Sequence, residues 1–188
     1  MVEVDTEEQR AFRALDAAKY KEAARLYETL AEQGSETALL NLGWMLESGH
    51  LGQPDREKAM LLWERAANGG SLTAKYSLGR AWKEKGDLRR ARALFIDGAE
   101  RGHKPSMFMA GRMLVRGEGG EADCKAGEAL LLRASREGHM FARRELSRLK
   151  INRARSPVVR LVLYCEMLLT SFATLPRYVR NPNSDDFR

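Results

Sequence analysis

Cysteine is scarce in this sequence: the only two, Cys124 and Cys165, lie in different regions. Neither has a metal-binding or redox spacing, so a disulfide framework is excluded and free thiols in a reducing cytoplasm are expected. Proline is thin as well, with five residues in the chain. Valine and isoleucine are sparse before residue 150, which argues against a sheet. The opening stretch, Met1 to Arg10, is acidic and polar and has no apolar core, so no secretory leader is expected there.

What is abundant points the other way. Alanine, leucine, glutamate and arginine dominate, and these are the residues that cost a helix least. Charged residues at 31% and hydrophobic residues at 44% place the chain among globular rather than disordered proteins. The formal charge of +6 permits an acidic partner, nucleic acid or an anionic membrane and demands none of them. A solvated basic face is the simplest reading of it.

The strongest signal is an internal repeat. Four segments close alike: Leu30 to Gly34, Arg65 to Gly70, Gly98 to Gly102 and Ala134 to Gly138. A second glycine recurs in phase at Gly43, Gly79 and Gly111. Each repeat holds two stretches with apolar residues at three- and four-residue steps, the pattern of paired amphipathic helices. A glycine inside the first helix costs about 1 kcal/mol against alanine and lets the second helix approach closely. Ala59, Ala91 and Gly127 are the small residues that match it. The closing glycines suit left-handed helix caps. One such pair cannot bury its apolar face alone, whereas stacked pairs make a continuous core.

The run from Ala38 to Gly43, with Gly49, Pro54, Asp55, Lys58, Ala59, Trp63 and Ala66 to Gly70, resembles the Sel-1-like repeat, a relative of the tetratricopeptide repeat. Gly111, Arg116 to Gly119 and Ala134 to Gly138 match it a second time. The intervening unit lacks the loop extension, and Lys85 to Ala91 looks like an ordinary tetratricopeptide turn. A more degenerate unit precedes them at Lys19 to Ala23. The resemblance implies an all-α fold, a right-handed α-solenoid of tetratricopeptide/Sel-1-like helical hairpins. About four pairs and a capping helix, Phe141 to Lys150, would fill residues 1–150. It also implies a non-catalytic protein-interaction scaffold or adaptor, with no cofactor.

In that superfamily the first helix of each pair lines the concave groove. Carried over by register, this gives Leu40, Trp44 and Glu47 from one unit, Tyr76, Arg80 and Lys83 from the next, and Phe108, Arg112 and Arg116 from the third. Arg144 and Arg148 would follow from the capping helix. An aromatic head and a ladder of arginines suit an extended peptide with acidic groups. The plainer alternative has the arginines solvated and Tyr76 and Phe108 in the core. Nucleic acid could use the same basic groove, but interspersed acids such as Glu47, Glu84 and Glu118 and the lack of a recognition motif rank it lower.

Nothing in the sequence argues for catalysis. His50, His103 and His139 each follow a glycine. They fall on different turns, so they do not converge as ligands at the ~2 Å a metal needs and read as turn or cap residues. Gly117 to Gly120 has no following lysine-serine pair, so it is no phosphate loop.

After Lys150 the composition changes. Residues 151–157 form a basic linker, and residues 158–175 are almost wholly apolar, broken only by Arg160 and Glu166. Pro176 is expected to stop the helix, leaving residues 176–188 as a polar tail. Eighteen residues make a helix of about 27 Å, short for a bilayer core of ~30 Å. Three roles stay open: a cap on the last repeat, a helix in the membrane interface, or a dock for a partner or second copy. Capping is the expectation, because Glu166 sits mid-stretch. Arg160, Leu161, Tyr164, Leu168 and Phe172 are the residues that would touch a membrane or partner. The localisation expected is cytoplasmic, with the membrane periphery as the variant.

Overall fold

A computed structural model describes the backbone of residues 6–180 and side chains as far as Leu169. Among these residues there are ten α-helices and no strand. They are α1 (Glu7–Asp16), α2 (Tyr20–Glu32), α3 (Glu36–Glu47), α4 (Arg56–Asn68), α5 (Leu72–Glu84), α6 (Leu88–Glu100), α7 (Lys104–Arg116), α8 (Cys124–Arg136), α9 (Met140–Arg153) and α10 (Pro157–Arg180). The chain forms two compact units, Met1–Lys85 and Gly86–Arg188, so the division falls between α5 and α6.

The turns between repeats are built alike. In the first, Gly34 takes φ +88°, a conformation open to glycine because it has no Cβ. The amide of Ser35 then donates to the Leu30 carbonyl at 2.9 Å, closing a Schellman motif. The same Ser35 begins α3, its hydroxyl accepting from the Ala38 amide at 3.3 Å. One residue therefore finishes one helix and starts the next, and only three residues separate the two helices. Gly70-Ser71, Gly102-His103 and Gly138-His139 repeat the glycine conformation and the backbone bond. The second helices α4, α6 and α8 start instead at Asp55, Asp87 and Asp123, each carboxylate accepting an amide three residues on.

In the first unit α2 packs between α1 and α3, and α4 between α3 and α5. Its core holds Tyr27, Leu39, Leu42, Met45, Trp63 and Leu78 among buried alanines. In the second unit α7 packs on α6 and α8, and α9 on α8 and α10. Phe95, Met107, Met113 and Leu131 are fully buried there, and each side chain contributes about 1.5–3 kcal/mol by leaving water. Gly43 and Gly111 sit where helices touch: a Cβ on Gly43 would collide with the Trp63 indole. A Cβ on Gly111 would lie 2.8 Å from the Gly127 carbonyl.

The C-terminal region departs from expectation in three ways. Residues 151–153 belong to α9, so the linker shrinks to residues 154–156. Glu128 of α8 ion-pairs with Arg153, which ties down this extra turn of α9. Pro176 does not end α10, which continues to Arg180. A proline removes one amide donor and crowds one turn, which a helix can tolerate. Third, α10 packs beside α9, yet Val158, Leu161, Val162 and Leu169 stay exposed. Contact with the repeats therefore covers only one side of the stretch expected to cap them. The expected tail beyond Arg180 and the side chain of Phe172 lie outside the described residues.

Candidate partner-binding surface

The proposed contact residues lie on first helices. In the first unit, α3 carries Leu40 and Glu47, both half-buried, and Trp44, which is 42% exposed. Trp44 does not stand alone. His50, in the loop after α3, has its ring 4.7 Å from that of Trp44 and stacks on Tyr20 at 4.0 Å. The bond from the His50 amide to the Met45 carbonyl at 3.0 Å fixes the loop that carries the imidazole. The three rings thus hold one another in an aromatic patch with one face in water. Sequence reasoning named Trp44, but it read His50 as a turn residue and Tyr20 as part of a degenerate unit. The pairing of Tyr20 with His50 joins residues thirty positions apart, which periodicity does not disclose.

On α5, Tyr76 and Lys83 are half-buried and Arg80 is exposed. Arg80 lies 3.8 Å from Glu84, whose carboxylate is also 3.0 Å from Arg56. Exposed pairs of this kind are worth about 0–1 kcal/mol, so Arg80 remains available to an outside carboxylate.

In the second unit the geometry differs. The ring of Phe108 stacks on His139 at 4.6 Å, and the Arg112 guanidinium covers it at 5.2 Å. Phe108 is half-buried, packed on His139 and covered by an arginine. Glu145 of α9, a residue of the charged capping helix, gathers the arginines of α7. Its carboxylate accepts from Arg116 at 2.8 Å and lies 4.0 Å from the Arg112 Nε. That Nε is buried and has no hydrogen-bond partner. Arg116 also approaches Glu118 at 3.6 Å. Arg112 and Arg116 are thus spent largely within the unit, whereas Arg144 and Arg148 of α9 are exposed and, among the described residues, have no ion pair. The spacing that put arginines on one face could not show which of them a neighbouring helix neutralises.

The histidines serve the turns as expected. His139 is buried and its Nδ1 accepts from the Ala142 amide at 3.2 Å. His103 lies 2.8 Å from the Ser106 hydroxyl. Among the described residues no cluster of histidine, cysteine, aspartate or glutamate could hold a metal. No described helix is long and apolar enough to cross a membrane.

Serial helical hairpins with glycine-closed turns define the class: this is an α-solenoid repeat protein. Within that class it belongs to the Sel1-like repeat proteins, carrying Sel1 repeats at residues 17–35, 37–71 and 104–139. The matched stretches are those of α2, of α3 with α4, and of α7 with α8; the unit with the short turn is unmatched. Among solved structures, the chain is similar to a Sel1 repeat protein from Oxalobacter formigenes. The identity is 24%, the TM-score 0.64, and the match covers 68% of this chain and 54% of that one. It is also similar to a protective antigen present in uropathogenic Escherichia coli strains, which displays the same repeat fold. There the identity is 19%, the TM-score 0.66, and coverage is 88% of this chain and 42% of that one. The chain thus spans about half the length of these two structures or less. No curated protein sequence matches it significantly. Repeats of this family generally serve as protein-interaction scaffolds and are typically not catalytic.

Proposed function

We propose that this chain is a non-catalytic scaffold that holds a segment of a partner protein against its first helices, with Trp44 as the anchor. The observation that carries this is the exposure of Trp44 while Tyr20 and His50 fix its ring. A large aromatic kept in place before binding loses little entropy on contact, and such residues dominate interface energetics. Arg80, in the same unit as Trp44, favours a partner segment with acidic side chains, because charge-assisted bonds to carboxylates are the strong ones. Leu40, Glu47, Tyr76 and Lys83 then act as surrounding contacts rather than anchors.

The test is binding of the full chain to an array of acidic and neutral peptides. Retention of acidic sequences, lost in Trp44→Ala and weakened in Arg80→Gln, supports the reading. Retention unchanged in both variants places recognition elsewhere.

A further inference from the structure

The net charge of this protein is concentrated at one end. Residues 140–180 hold nine arginines and lysines against two glutamates, a net +7, more than the +6 of the whole chain. The rest is close to neutral. Of the two acids, Glu145 is occupied by Arg112 and Arg116. Arg143, Arg144, Arg148, Lys150, Arg155 and Arg160 are exposed along α9 and the start of α10.

The same region carries the largest uncovered apolar surface of the described chain. At about 100° per residue, Val158, Leu161, Val162, Cys165, Leu168 and Leu169 fall within about 120° of arc on α10. Val158 and Leu169, toward its two ends, are each 70% exposed. Glu166 lies at the edge of that stripe, not within it. The half-buried Leu163 and Met167 fall on the opposite side. An apolar stripe of this kind on a soluble surface is a docking feature.

We propose that α10 lies flat in the interface of an anionic lipid membrane, its stripe among the acyl chains and the surrounding arginines on the headgroups. Two properties select this occupant. Cations at this density call for a negative surface, and nucleic acid, though negative, offers no apolar phase for the stripe. A bilayer interface supplies both. The helix is taken to lie on the membrane rather than across it, because Arg160 and Glu166 interrupt its apolar run and a charge in the bilayer core is costly. The repeats would then present their first helices from a membrane surface, a role beyond scaffold binding itself.

Flotation of the full chain with vesicles tests this. The chain is expected to float with an equal mixture of phosphatidylcholine and phosphatidylglycerol, not with phosphatidylcholine alone, and to be released by salt. Each cation at such a surface contributes about fivefold, so Lys150→Gln/Arg155→Gln lowers partitioning roughly 25-fold. Leu161→Ser/Leu169→Ser is expected to abolish flotation while leaving helicity and melting unchanged, since both side chains are exposed. Failure to float with the mixture, or equal flotation with both vesicle types, overturns the proposal. So does a dimer, seen by sedimentation, that the double serine variant disperses in a chain that binds no vesicles: the stripe then belongs to a second copy.

Discussion

Gly111 of α7 and Gly127 of α8 face one another so closely that a Cβ on Gly127 would lie 2.7 Å from the Gly111 carbonyl oxygen. The reverse construction gives 2.8 Å. Backbone cannot give way as a flexible side-chain end does. Gly111→Leu is therefore expected to destabilise by about 1–3 kcal/mol or more through overpacking. Gly127→Ala acts in the same direction, since its Cβ would also meet the Val115 amide. Denaturant melts of both variants check this, and parent-like midpoints would contradict the packing described.

The repeat itself was legible because its causes are local. Glycine-closed turns and three- and four-residue apolar steps are chemistry of adjacent residues, and they located α3, α4, α7 and α8. The bounds of α9 and α10 were missed for the opposite reason. Residues 151–153 stay helical with Glu128 holding Arg153 across to α8, and the polar composition that read as a linker does not show that partner. Arg112 likewise read as a free rung, because Glu145 lies more than thirty residues away.

Glu145 leads to a second expectation. With Arg112 and Arg116 both on its carboxylate and only 15% of its side chain exposed, Glu145→Gln is expected to cost about 1–2 kcal/mol, between exposed and buried ion pairs. It would also release two arginines and strengthen binding of acidic peptides. A destabilised variant with unchanged peptide affinity would show that Arg112 and Arg116 do not reach the partner.

Tyr27 gives an alkaline signature. Burial raises its pKa above the ordinary 10.0, with the nearby Glu8 carboxylate adding to the shift. The folded pKa is above the unfolded one, so this contribution is fully present below pH 10 and is lost as pH rises through the folded value. One of the five tyrosines should titrate late in absorbance. Tyr27→Phe should remove that component and lessen the loss of stability in alkali.

Asp55 gives the acidic counterpart. The Lys58 backbone amide, and then the Lys58 side chain, hold its carboxyl below the ordinary 3.8. Its folded pKa is lower than the unfolded one, so the stabilisation of α4 is present above about pH 4 and is lost as pH falls through the folded value. Asp55→Asn keeps a capping oxygen and should flatten the melting temperature against pH in that range. An unchanged acid limb would show that other carboxylates set it.

The most direct test of the scaffold reading is photo-crosslinking from position 47 compared with position 61. Glu47 stands on the first helix α3, one turn from the Trp44 anchor, and Leu61, 64% exposed, on the second helix α4. A benzophenone side chain placed at either site reports which face touches a bound acidic peptide. The account predicts a cross-link from position 47 and none from position 61. A cross-link from position 61 alone would contradict it.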